Sequence, residues 1–90
     1  MFFTWDLKKA EVNVRKHGVD FHEAATVLED PLSTTFSDSE HSTTEHRFIT
    51  VGMSAGALLL VVVHTEREDK IRIISARRAT RHEQRFYEED

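Results

Sequence analysis

The chain contains no cysteine, and that absence excludes disulfides, zinc–thiolate sites, iron–sulfur clusters and a thiol nucleophile. One proline and three glycines in 90 residues rule out collagen-like or low-complexity chains. No long apolar run occurs. The longest, Ala57–Val63, has seven residues, against the roughly 20 a membrane span needs, and the N-terminal Met-Phe-Phe-Thr-Trp-Asp lacks the basic start of a signal peptide. The expectation is a soluble, cytoplasmic protein with no membrane partner. What is present is ordinary for one compact domain over residues 1–90: 39% hydrophobic and 31% charged residues.

Acids outnumber bases, 16 to 12, and the formal charge of −4 taken alone argues against nucleic acid. The average conceals a segregation. Between Arg67 and Arg85 seven bases face three acids, a net +4, whereas the other residues carry five bases and thirteen acids, a net −8. Six of the seven bases are arginine, whose planar fork suits bidentate phosphate contact. A solvated hairpin with internal ion pairs would show the same composition.

Phe2–Trp5 reads as an edge strand. Asp6 is placed to cap a helix ending near His17, with Gly18 as its left-handed stop, and Leu7, Ala10 and Val14 give it an apolar stripe. Asp20 opens a second helix, with Glu23 in capping-box position, Phe21, Ala24, Ala25 and Leu28 as its buried stripe, and Pro31 as its stop. Strands follow at Leu32–Phe36, Arg47–Met53, Leu58–Thr65 and Lys70–Arg78, with a polar loop over Ser37–Glu45. The third of these, apolar on both alternations, reads as the central strand. Thr80-Arg-His-Glu83 matches a capping box and opens a short C-terminal helix anchored by Phe86 and Tyr87. The order predicts an α+β fold: two N-terminal helices, an antiparallel meandering sheet and a C-terminal helix.

Alternation puts Leu58, Leu60, Val62 and His64 on one face of the central strand. A two-residue turn at Glu68-Asp69 would pair Arg67 with Lys70, Thr65 with Arg72 and Val63 with Ile74. It would gather Arg67, Lys70 and Arg72 on one side and His64 on the other. An odd-length turn would place His64 with Arg72 instead.

Trp5-Asp6, Lys9, Asn13 and Lys16-His17-Gly18-Val19, then Leu60-Val61-Val62-Val63-His64-Thr65 and Ile71-Arg72-Ile73-Ile74-Ser75-Ala76-Arg77-Arg78-Ala79, together closely resemble the BrnT family of bacterial type II toxins over nearly the whole chain. The resemblance implies a RelE-like fold, a translation-blocking ribonuclease and a BrnA-type ribbon-helix-helix antitoxin. Operator DNA would be reached only through the antitoxin complex. No cofactor is implied.

A ribonuclease using the substrate's 2′-hydroxyl must accept one proton, donate another and stabilise charge on the phosphoryl oxygens. His64 is the candidate for proton transfer. Arg67, Arg72 and Arg77 are candidates for stabilising the phosphate, and Lys9, Lys16, Arg78, Arg81 and Tyr87 for holding RNA. Each also has a plainer reading: His64 as a structural histidine, Arg77 as a tie to the last helix, Tyr87 as a packing anchor, Asn13 and His17 as backbone partners. His41 and His46 lie near Asp38, Glu40 and Glu45, but without regular ligand spacing, so no metal site is expected. The competing function is a non-catalytic corepressor subunit of a DNA-binding antitoxin complex.

Overall fold

A computed structural model describes residues 2–40 and 45–89. The elements are β1 (Phe3–Thr4), α1 (Leu7–His17), α2 (Phe21–Val27), β2 (Thr34–Ser37), β3 (Arg47–Met53), β4 (Leu59–Arg67), β5 (Lys70–Arg78) and α3 (Arg81–Glu88). The sheet order is β1-β5-β4-β3-β2. Strands β2 to β5 form the expected antiparallel meander, and β1 joins its far edge in parallel to β5, pairing Phe3 with Ile71 and Thr4 with Arg72. The sheet is therefore mixed. Among the described residues no helix is long and apolar enough to cross a membrane.

Helix ends follow local chemistry. Asp6 accepts from the N–H groups of Lys8 and Lys9 at 2.8 and 3.1 Å, and Gly18 closes α1 at φ 69°. Asp20 caps α2 through the His22 N–H at 2.6 Å. The capping box expected at α2 does not close, because Glu23 reaches away to the β3–β4 turn. There its carboxylate accepts from Ser54 Oγ and, at 2.9 Å, from the Gly56 N–H. Helix α2 ends at Val27, before Pro31 is reached, in a series of i+3 hydrogen bonds ending at Asp30.

The core lies between the two N-terminal helices and one sheet face: Val19, Phe21, Ala24 and Val27 against Leu60, Val62, Ile73 and Ala76. Helix α2 and the segment after it come so close to β3 that a Cβ on Gly52 would stand 2.8 Å from Ser33 Cβ and 3.0 Å from Val27 Cγ1.

Of the apolar stripe expected of α1, only Ala10 packs against this core. Leu7 is 76% exposed and Val14 45% exposed. The helix instead turns Asn13 inward, where its amide donates to Val19 O at 2.9 Å and Ala76 O at 2.8 Å and accepts from the Ala76 N–H at 3.1 Å. Strand β1 is too short to cover β5 beyond Arg72, so Asn13 supplies the edge hydrogen bonds a neighbouring strand would have made.

The β4–β5 turn is the two-residue kind, with Glu68 and Asp69 both left-handed at φ 52° and 65°. Arg67 pairs with Lys70, Thr65 with Arg72 and His64 with Ile73. A bulge then leaves Ile74 over, so Val63 pairs with Ser75 rather than with Ile74.

Candidate nucleic-acid interface on the open sheet face

The face turned away from α1 and α2 is only flanked by α3. Ile49, Val51, Val61, Val63, Ser75 and Arg77 floor a cavity of about 350 Å³ there, with Phe36, His82, Glu83 and Phe86 around it. The pleat continues along β4 to Thr65 and Arg67, and the register sets Arg72 and Lys70 beside them. Three candidates, Arg67, Arg72 and Arg77, therefore share this face.

Their surroundings differ. Arg67 reaches Glu45 at 2.8 Å in an exposed ion pair. That hydrogen bond, assisted by the charges of Arg67, Arg47 and Arg72, holds the Glu45 carboxyl below its usual range. Arg77 forks onto both oxygens of Glu83 at 2.8 Å each, and this pair drives Glu83 down to about 2. The same carboxylate accepts the Thr80 N–H at 2.8 Å, completing the capping box of α3. Arg77 thus ties β5 to α3. Arg72 is half-buried and meets no carboxylate at ion-pair distance among the described residues, although its charge is felt by Asp6 and Glu45.

His64 sits on the opposite, helix-covered face. It is 6% exposed, its Nε2 lies 2.7 Å from Thr50 Oγ1, and its ring stacks on Phe48 at 5.8 Å. Nδ1 is buried without a hydrogen-bond partner among the described residues. Burial pushes the imidazole down to about 4, so it is neutral at physiological pH and cannot reach a substrate on the open face. The catalytic role expected of His64 is therefore withdrawn, and the two-residue turn is the physical reason. The linkage has a definite sign. The unfolded chain protonates this histidine below about pH 6.5, whereas the folded chain resists until about pH 4. Stability should fall across that interval, by about 3 kcal/mol at its acid end. His64→Leu should flatten this part of the pH–stability curve measured by urea melts.

Of the RNA-holding candidates, Lys9 and Lys16 stand exposed on α1, around a shallow groove of about 280 Å³ that reaches Ile74 and Ser75. They lie across the β5 edge from the arginines. Arg81 is exposed at the start of α3, and Arg78 borders a separate cavity beside Tyr87 and Met53. Tyr87 is committed elsewhere. Its hydroxyl donates to Asp30 Oδ2 at 2.7 Å, a bond that pushes the phenol up to about 12 and anchors α3. Phe86, expected to anchor that helix, is 46% exposed and meets Phe36 at 5.6 Å between ring centres.

Sequence reasoning passed over Phe36, Ser75 and His82. His82 stands inside the capping motif of α3 and is an imidazole lining the open-face cavity. The His46 Nε2 is 2.6 Å from Ser37 Oγ, and its ring lies 4.6 Å from that of Phe48 at a 30° tilt. His41 lies outside the described residues. Among the described residues no group of three or more His, Asp or Glu side chains is placed to hold a metal ion.

A helix-backed mixed sheet whose free face carries arginines beside an apolar cavity defines a small α+β protein with a cationic open face. The 1.1 Å crystal structure of the Brucella abortus ribonuclease toxin BrnT matches it with a TM-score of 0.68 at 22% identity, over 90% of this chain and 100% of that one. The family model for BrnT, the ribonuclease toxin of type II toxin–antitoxin systems, matches residues 5–83, and the chain belongs to that family. No match was found among curated proteins.

Proposed function

We propose that residues 1–90 form one toxin domain that blocks translation by cleaving RNA on the open sheet face. Arg72, an arginine with no ion-pair partner among the described residues on the cationic face of a ribonuclease-toxin family member, is the observation that supports this most. In the reaction the 2′-oxygen bonds to the adjacent phosphorus and the bond to the 5′-oxygen breaks, leaving a 2′,3′-cyclic phosphate and a 5′-hydroxyl. Arg72, with Arg67 beside it, meets the charge growing on the phosphoryl oxygens. Arg77 acts on the same face through its tie to Glu83. Proton transfer falls to His82, the imidazole that lines this face. These residues supply charge and protons themselves, so the reading is of a metal-independent cleavage. Lys9, Lys16, Arg78 and Arg81 hold the flanking strand by charge.

The partner in this reading is a BrnA-type ribbon-helix-helix antitoxin that covers the cationic face, with operator DNA contacted only through the complex, and the site of action is the cytoplasm. The test is expression of the toxin without and with its antitoxin gene, followed by end analysis of RNA treated with purified protein. Growth arrest relieved by the antitoxin, and new 5′-hydroxyl ends, are expected. Intact RNA together with salt-dependent DNA binding by the complex would replace this reading with the corepressor one.

A further inference from the structure

We infer that the apolar cavity on the open face is a nucleobase pocket, in which a base unstacked from the RNA lies against Phe36 and Phe86. This rests on the ribonuclease reading and deepens it. The cavity, about 350 Å³, falls in the size range of pockets for small planar ligands. Its floor is the flat, β-branched surface of Val51, Val61 and Val63. Phe36 and Phe86 are 39% and 46% exposed, and their rings meet at 5.6 Å with a 58° tilt. Both rings line the cavity and keep part of their surface open to solvent. Aromatic rings with this exposure are the usual means of holding an unstacked base.

Two observations favour a base over an apolar side chain of a protein partner. The pocket is continuous with the phosphate-binding arginines, since Ser75 in its wall and Arg72 lie three residues apart on β5, roughly 10 Å along a strand. A base attached to the clamped backbone therefore arrives at the cavity without leaving the face. The rim is also polar on one side, where the Ser75 hydroxyl, the His82 imidazole and the Arg77–Glu83 pair offer donors and acceptors to a base edge. Tyr87, the sequence-level candidate for stacking, is held by Asp30 and leaves the role to the phenylalanines.

The test uses short single-stranded RNA oligonucleotides made non-cleavable by 2′-deoxy substitution, with one abasic position moved along the strand. Binding is read by fluorescence anisotropy. One abasic position should weaken binding to the parent protein by about 5-fold or more. The Phe36→Ala/Phe86→Ala double variant should bind intact RNA more weakly by a similar factor and show no further penalty at that position, and Phe86→Trp should restore both. Circular dichroism checks the fold. An abasic penalty that is absent everywhere, or that survives in the double variant, overturns the pocket. Unchanged RNA binding with lost antitoxin binding assigns the cavity to the protein partner instead. Because binding is read without cleavage, a protein that binds but does not cut rejects the catalytic reading while still deciding this one, and a protein that binds no RNA rejects both.

Discussion

Arg72→Ala should lower kcat for RNA cleavage by about 10²- to 10³-fold, the usual loss when one preorganised charge donor to a reacting oxyanion is removed. The melting temperature should stay close to that of the parent. The reason is local. The Arg72 backbone is held on both sides, by Thr4 of β1 and Thr65 of β4, so the strand does not depend on the side chain. No ion pair is broken, since among the described residues Arg72 has no carboxylate at contact distance. Arg72→Lys keeps the charge but loses the planar fork, and an intermediate rate is expected. Arg77→Ala should behave in the opposite manner. It strips Glu83 of its partner and loosens α3, so stability falls along with whatever activity is lost. Single-turnover kinetics on a defined RNA, paired with thermal melts, separate the two. An Arg72→Ala protein that cleaves within a few-fold of the parent would remove this residue from the site.

Asn13→Ala should destabilise the fold by about 3 kcal/mol or more. The substitution leaves the Ala76 N–H, the Ala76 carbonyl and the Val19 carbonyl without their partner in a buried place, and each orphaned group costs roughly 1–3 kcal/mol. For a chain of this size the melting temperature should drop by roughly 12 °C or more. Asn13→Asp should be no better, because a carboxylate would face two carbonyl oxygens and lose both donated bonds. Hydrogen exchange at the Ala76 amide offers a local readout, with protection lost in Asn13→Ala, where the acceptor is gone. A loss below about 1 kcal/mol would mean that water or a shifted β1 satisfies the edge instead.

The elements that local chemistry defines were legible. Asp6 and Gly18 bracket α1, Thr80 and Glu83 cap α3, and β3 and β5 run over the expected residues. What local chemistry does not encode was misread or missed. The spacing of Leu7, Ala10 and Val14 is that of a core-facing stripe, yet only Ala10 packs against the core, and the helix turns Asn13 inward to satisfy the β5 edge. Glu23 has the position of a capping residue but meets a turn 31 residues away. His64 has the chemistry of a proton carrier, and only the turn parity and the depth of the sheet decide that it faces the core. The charge segregation was a sounder guide. It located the arginine face, although not that Arg77 is already engaged by Glu83 and Arg72 is not.

The parallel pairing of β1 with β5 bears on how the molecule assembles. Phe3 and Ile71 are 68 residues apart in the chain, so the order of events in folding is constrained by loop closure. Hairpins between neighbouring strands can form early, whereas β1 can dock only once β5 already has its place. This late strand is also the one that borders Arg72, through Thr4 and through the Ile71 N–H bonded to Phe2 O at 2.9 Å. The meander can thus stand complete while the arginine edge is still unfinished, and that edge is completed at the end of folding rather than along the way.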